Sequence, residues 1–327
     1  MAGTLTNYSV PSTFHGVPKF INYQFSFFTV PVLLAFVPIL YIPATMVVAF
    51  RIFKKFLAEY FDRNVNVQLF GVITLSHYMS FLFFIAEFFY LRLPLAGAFT
   101  SWCASVQPNG YLIIFIIIVF YINYATMIFP CLVALLRLNL IVFPSSYQKI
   151  NTKIIKCLPI VFIYPILCIA IMFPGNGFCS HVAYPIYGSI MLRVTDTMFG
   201  WTNNYILMFN TFLWVSICLG INAVLIVKLI KFKLSVPSTM RSQLSQKGEI
   251  SLTLTTTSMA LAYLTNGLHT IFGRIYVDLT LFLVALRPFM NDVDTCVVPW
   301  VFYLTHPIFQ KKSVNQVMAS AVERMGS

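Results

Sequence analysis

Seven stretches of this chain are long and apolar enough to cross a lipid bilayer, and no other feature restricts the fold so tightly. They are Phe27–Phe50, Val67–Leu91, Tyr111–Leu136, Cys157–Phe173, Tyr205–Val227, Ile250–Phe272 and Leu279–Leu304, with the fourth expected to reach back to Ile154. A helix needs roughly 20 mostly apolar residues to span the hydrocarbon core. Inside that core the backbone must satisfy its own hydrogen bonds, so stretches of this length are expected to be helices. The sixth is the least apolar, opening on Ser251-Leu-Thr-Leu-Thr-Thr-Thr. The expectation is all-α: one seven-transmembrane helix bundle over residues 1–327, with 1–26 and 305–327 as short tails. Any function must lie in the bundle, in its loops or in a partner.

Composition supports the lipid setting. Only 9% of the residues are charged, against about 25% in soluble domains. The net charge of +12 does not point to nucleic acid, because the basic residues gather at the ends of apolar spans. Sixteen of the 21 Lys and Arg residues fall in 51–66, 137–156, 228–249 and 305–327. By the positive-inside rule those segments are cytoplasmic, which puts the N-terminus outside and the C-terminus inside. The first 26 residues carry no charged n-region followed by a short apolar run, so the first span is expected to target the chain.

Two further signs agree with that direction. Asn7-Tyr8-Ser9 is a glycosylation sequon on the expected outer side. Cys103 and Cys179 lie in outer connections, where a disulfide between them suits the oxidising exterior. Cys131, Cys157, Cys168, Cys218 and Cys296 fall within or at the edge of spans and are expected to pack as small apolar residues.

Polar residues within spans are costly, which makes them the functional candidates. Arg287, Asn291 and Asp294 follow at i, i+4 and i+7 and share one helix face, while Asp292 lies on another side. By direction of travel Glu87, Asn210, Asn266, His269 and Arg287 lie towards the outside. They are expected to border a ligand cavity open to that side, with Glu87 paired to Arg287. Interhelical hydrogen bonding without a ligand is the alternative for each. Prolines at 31, 38, 43, 130, 159, 165, 288 and 299 interrupt the spans and mark kinks or hinges. No H-E-x-x-H, G-x-S-x-G or G-x-x-x-x-G-K-[ST] motif is present. Asp292 and Asp294 share one helix, so they cannot face each other as an aspartyl protease pair. No enzymatic activity and no cofactor are expected.

Three regions resemble the nematode serpentine chemoreceptors of the Srg superfamily, with classes gamma and V closest. They are Leu135-Leu-Arg-Leu-Asn-Leu-Ile-Val-Phe-Pro144, Asn291-Asp-Val-Asp-Thr-Cys-Val-Val-Pro-Trp300 and Tyr303-Leu-Thr-His-Pro-Ile-Phe-Gln-Lys-Lys312. The resemblance implies a seven-span G-protein-coupled receptor for a small-molecule cue on the ciliary plasma membrane of a sensory neuron, signalling to a heterotrimeric G protein. It places Arg137 at the cytoplasmic end of the third span, where it would lock an inactive state or meet the G protein. Asp294, Pro299 and Tyr303 would form the switch region of the seventh span. Departures from the rhodopsin-like pattern are plain: Leu136 stands before Arg137 in place of an acid, and Val298 before Pro299 in place of asparagine.

The third inner connection, with Lys231 and Lys233 among its cations, suits a G protein or anionic lipid. Residues His306 to Ser313 are expected to form a short interfacial helix, with Ile308 and Phe309 as its apolar contacts. Membrane lipid and a small-molecule cue complete the expected partners, and nucleic acid is excluded. A transporter or ligand-gated channel, lined by the same polar stripes, is the alternative reading; an orphan structural membrane protein is the second.

Overall fold

A computed structural model of the chain describes residues 13–62, 67–182, 187–195, 197–235, 251–259, 264, 267–268, 271–272, 287–289 and 291–309. The described chain is mainly helical. It opens with a short turn α1 (Pro18–Ile21), then α2 (Val30–Phe36) and α3 (Pro38–Asp62), a pair interrupted at Val37. Next come α4 (Val67–Glu87), a π-turn over Phe88–Arg92, and α5 (Leu93–Leu95). A short α6 (Thr100–Ser105) precedes the long α7 (Gly110–Val142). After α7 stand α8 (Tyr147–Lys156) and α9 (Leu158–Ile169). A hairpin of β1 (Gly177–His181) and β2 (Ile190–Val194) leads to α10 (Asn203–Ser235). The last described part is helical from 291, through a π-turn at Val293–Val297, into α11 (Val298–Thr305).

Five helical segments are long and apolar enough to cross a membrane: Val30–Ala58, Val67–Leu95, Gly110–Val142, Tyr147–Met172 and Asn203–Lys231. They coincide with the first five expected stretches. The sixth and seventh stretches fall largely outside the described residues. Apolar side chains on the outer faces, such as Phe28 (94% exposed), Leu40 and Leu167, have no protein partner to cover them. Lipid removes the cost of that exposure.

The third apolar stretch becomes the hub. Helix α7 packs against α4, α9 and α10 at once, and most of its length is buried. Asn109 starts it, its side-chain oxygen accepting from the Leu112 backbone N–H at 2.9 Å, as an N-cap does. Two core clusters meet on α7. The outer one joins Phe14, Cys103, Ile116, Met172, Ile190 and Leu207, and the inner one joins Val48, Ile73, Phe129, Leu136 and Phe302.

The hairpin lies across the outer end of α7. Cys179 pairs with Leu192 in its antiparallel register, and Thr13 adds a bridge to Ser180. Gly177 is required where the hairpin touches α7, because a Cβ there would stand 2.5 Å from the Leu112 carbonyl carbon and the Ile113 nitrogen. The expected disulfide is formed: Cys103 of α6 is bonded to Cys179 of β1, with 5.9 Å between Cα atoms. Replacing Cys103 by serine should lower unfolding stability by about 2–5 kcal/mol. Thermal unfolding of the purified full-length protein, with and without reductant, checks this, and the variant should respond little to reductant.

Other expectations change in detail. Helix α7 runs on past Leu136, so Arg137 lies inside it rather than at its end. Of the five free cysteines, Cys157 is exposed and the other four are buried. The interfacial helix at the end is replaced, in its described part, by a tight turn over Pro307–Phe309. Phe309 folds back onto the rings of Phe70, Phe302 and Tyr303. Aromatic packing inside the bundle therefore uses the apolar surface that a membrane contact would have used.

Candidate ligand cavity and polar relay

Beneath the hairpin, at the outer end of the bundle, lies a cavity of about 990 Å³. Its apolar wall includes Tyr90, Ile116, Phe120, Met172 and Phe178. Its polar wall is made by Arg193, Thr195, Thr197, Thr202, Asn203 and Asn204. The hairpin supplies Arg193 and the first turn of α10 supplies the two asparagines. Asn203 Oδ1 accepts from the Tyr124 hydroxyl at 2.8 Å. Partial desolvation of the Arg193 guanidinium lowers its pKa below the ordinary arginine value.

Tyr90 connects this cavity to a buried polar cluster. Its hydroxyl donates to the Leu192 carbonyl of β2 at 3.3 Å, and it lies within electrostatic reach of Glu87, Arg287 and Arg193. Glu87, 2% exposed, accepts a hydrogen bond from the Asn291 side chain. Glu87 and Arg287, the expected pair, interact electrostatically but make no direct ion-pair contact among the described residues. Asn291 lies one α-helical turn beyond Arg287 and presents its amide directly to α4, so it takes that place.

Sequence reasoning missed a charge contact inside the bundle. Arg92, counted with the outer connection, is 3% exposed and forms a buried ion pair with Asp292. It also donates to the Pro288 carbonyl at 2.8 Å, and its guanidinium lies 5.4 Å from the Phe84 ring centroid and 5.3 Å from that of Phe289. The Tyr41 hydroxyl donates to the second Asp292 oxygen, which ties α3 into the cluster. The other side of the last helical segment, where Asp292 was expected, is thus a protein interface. One turn inward, the Ser80 hydroxyl donates to Asp294 at 2.6 Å, and Thr295 donates to the Ser80 carbonyl at 3.3 Å. Two π-turns, at Phe88–Arg92 and Val293–Val297, flank these contacts. Such insertions are frequent at functional sites because they re-aim side chains.

Asn210 stands apart, between α9 and α10. It accepts from the Tyr164 hydroxyl, and its amide donates to the Ile206 carbonyl at 2.8 Å and contacts Cys168 Sγ at 3.7 Å. Asn266 and His269 lie outside the described residues, as does Asn7. None of the five residues expected to border the ligand is among the cavity's described lining.

In the half of the bundle away from the hairpin, Arg137 is fully buried. Its two terminal nitrogens donate to Thr256 Oγ1 at 3.1 Å and Thr253 Oγ1 at 2.8 Å. Thr256 in turn donates to Asn222 of α10 at 3.0 Å. The threonines of the weakest apolar stretch therefore serve as acceptors for Arg137, in the place an acid would take. Tyr303 accepts a hydrogen bond from Arg51 of α3 at 3.0 Å. Pro299 opens α11 directly after the π-turn. Lys231 is exposed near the end of α10, and Lys233 falls in the same helix.

A multi-pass helical membrane protein with a disulfide-braced hairpin, a cavity beneath it and a polar cluster next to that has the build of a receptor. The chain is 45% identical over 256 residues to the Caenorhabditis elegans protein named "Serpentine receptor class U-26", covering 78% of this chain and 88% of that one. The family described as "Serpentine type 7TM GPCR chemoreceptor Sru" matches residues 14–312. The chain belongs to this serpentine chemoreceptor family, which is a receptor family and not an enzymatic one. Its class is U, where the motif resemblance had favoured gamma or V. It is a G-protein-coupled-receptor-like chemosensory membrane protein.

Proposed function

We propose that this receptor spans the membrane seven times as a single domain, with its N-terminus outside and its C-terminus in the cytosol. A small-molecule cue enters the cavity beneath the hairpin and signals to a heterotrimeric G protein. The observation that carries the reading is the position of Tyr90, which borders the cavity and lies within electrostatic reach of Glu87 and Arg287. A ligand that shifts Tyr90 would be felt by the Glu87–Asn291 contact and, through it, by the seventh helix. Glu87 and Arg287 keep their ligand-side role in this reading, with Asn266 and His269 as further candidates, while Asn210 acts through α9. Arg137, Asp294, Pro299 and Tyr303 form the cytoplasmic switch, with Lys231 and Lys233 facing the G protein or anionic lipid. The motifs still ally the chain with the Srg grouping, and a ciliary sensory membrane and glycosylation at Asn7 accompany this reading.

The test is agonist-dependent nucleotide exchange on a purified G protein, driven by the full-length chain in lipid discs against a panel of volatile and secreted small molecules. An active compound should lose potency at least about tenfold in Ile116→Trp, which fills the cavity; about 1.4 kcal/mol corresponds to that factor. Leu40→Ala, on the lipid-facing surface, should leave it unchanged. Full potency in Ile116→Trp would remove the cavity from the proposal. N-terminal tags that stain only permeabilised cells would remove the orientation.

A further inference from the structure

We infer that the cavity beneath the hairpin is built for a mostly apolar cue carrying one anionic group, a carboxylate or its equivalent, seated between Arg193 and the start of α10. The inference rests on the cavity reading above and adds the ligand's chemistry.

The wall chemistry is one-sided. Arg193 has only donors to offer, and among the described residues no acid lines the cavity. Asn203 spends its side-chain oxygen on Tyr124, while its amide nitrogen Nδ2 is buried and has no hydrogen-bond partner. A buried amide donor left unsatisfied is costly, and it marks a place where a ligand acceptor fits. Both groups, one on β2 and one on α10, border the same space. The 33-residue helix α10 begins at Asn203, so its partial positive end also faces the cavity and favours negative charge there. Opposite these donors, Ile116, Phe120, Met172 and Phe178 offer only apolar surface. A neutral alcohol would satisfy Asn203 but gain no charge contact from the guanidinium, which stands exposed at the cavity's edge. A cationic amine would be repelled by it. An amphipathic anion fits both walls.

The test uses a matched pair of probes, 3-phenylpropanoate and 3-phenylpropan-1-ol, titrated by calorimetry into the full-length receptor in neutral phosphatidylcholine discs, with empty discs subtracted. The acid should bind at least about tenfold more tightly than the alcohol, a ratio that an Arg–carboxylate contact supplies. Arg193→Gln should bring the ratio close to one while leaving alcohol binding unchanged, and Asn203→Asp should weaken the acid alone. Asp196→Asn, which removes the nearest acid in sequence, should leave the preference in place. Equal affinities in the unaltered receptor, an unchanged ratio in Arg193→Gln, or no binding of either probe would overturn the proposal. Competition by phosphatidylserine added to the discs would also overturn it, by assigning the seat to a lipid headgroup. Ile116→Trp separates the two readings. If alcohol binding survives it, the cavity assignment fails; if alcohol binding is lost and the acid was never preferred, only the ligand class fails.

Discussion

Asp292→Ala should destabilise the full-length receptor by about 3–5 kcal/mol, the cost expected when one partner of a buried ion pair is removed and the other stays behind. Arg92 is 3% exposed, and its guanidinium lies near the rings of Phe84 and Phe289, so its charge is poorly solvated once the acid is gone. Its Nη2 also donates to the Pro288 carbonyl, so the guanidinium is held in place and cannot swing away when the acid is lost. Tyr41 loses its acceptor in the same substitution. Thermal unfolding in detergent should show a large fall in Tm. The double substitution Arg92→Leu with Asp292→Leu should recover most of the loss, because an apolar pair of similar volume carries no desolvation penalty. An Asp292→Ala protein that unfolds like the parent would show that the pair contributes nothing to stability.

That ion pair also marks where the sequence stopped being legible. The apolar runs identified the first five membrane-crossing helices, and oppositely placed cysteines on the expected outer side identified the disulfide. What failed was the phase of the helices. Arg92 follows Glu87 by five residues, and on a regular α-helix that step turns a side chain well away from its predecessor. The π-turn over Phe88–Arg92 takes up the extra residue and returns Arg92 to the buried side. Nothing in Phe88-Phe-Tyr-Leu-Arg92 advertises a π-turn, so a basic residue at the end of an apolar run read as an outer-loop cation. The last helical segment has the same difficulty at Val293–Val297. The shared face of Asn291 and Asp294 was legible, because α4 presents Glu87 and Ser80 to them two turns apart. The partners were not, since they lie more than 200 residues away in sequence.

Boundaries failed for a related reason. Polarity at Arg137 and Asn139 suggested that the third span ended at Leu136. Tertiary partners engage both: Thr253 and Thr256 accept from the guanidinium's terminal nitrogens, and Asn139 donates to Asn151 of α8 at 3.2 Å. A hydropathy reading cannot see acceptors supplied by another helix. The cavity was illegible too, because its wall is assembled from the hairpin, α7 and the start of α10.

Thr256→Val together with Thr253→Val should raise agonist-independent nucleotide exchange by about tenfold or more, since each hydrogen bond to a charged group is worth about 1.5–3 kcal/mol. Valine keeps the shape of threonine and removes only the hydroxyl, so the packing of residues 251–259 against α7 is retained. In the parent these hydroxyls hold Arg137 against the sixth apolar stretch, and Thr256 links the same point to Asn222 of α10. Three helical segments are therefore clamped through one guanidinium. A receptor state in which these segments part is reached more readily once the clamp is weakened; a shift of about 1.4 kcal/mol moves the population ratio tenfold. Arg137→Leu tests the second role of the same residue. It should release the clamp and yet lower agonist-driven exchange, if the guanidinium that leaves the threonines goes on to meet the G protein. Basal exchange unchanged in the double valine variant, with the protein folded and at the membrane, would reduce these contacts to packing and leave the switch to be sought elsewhere.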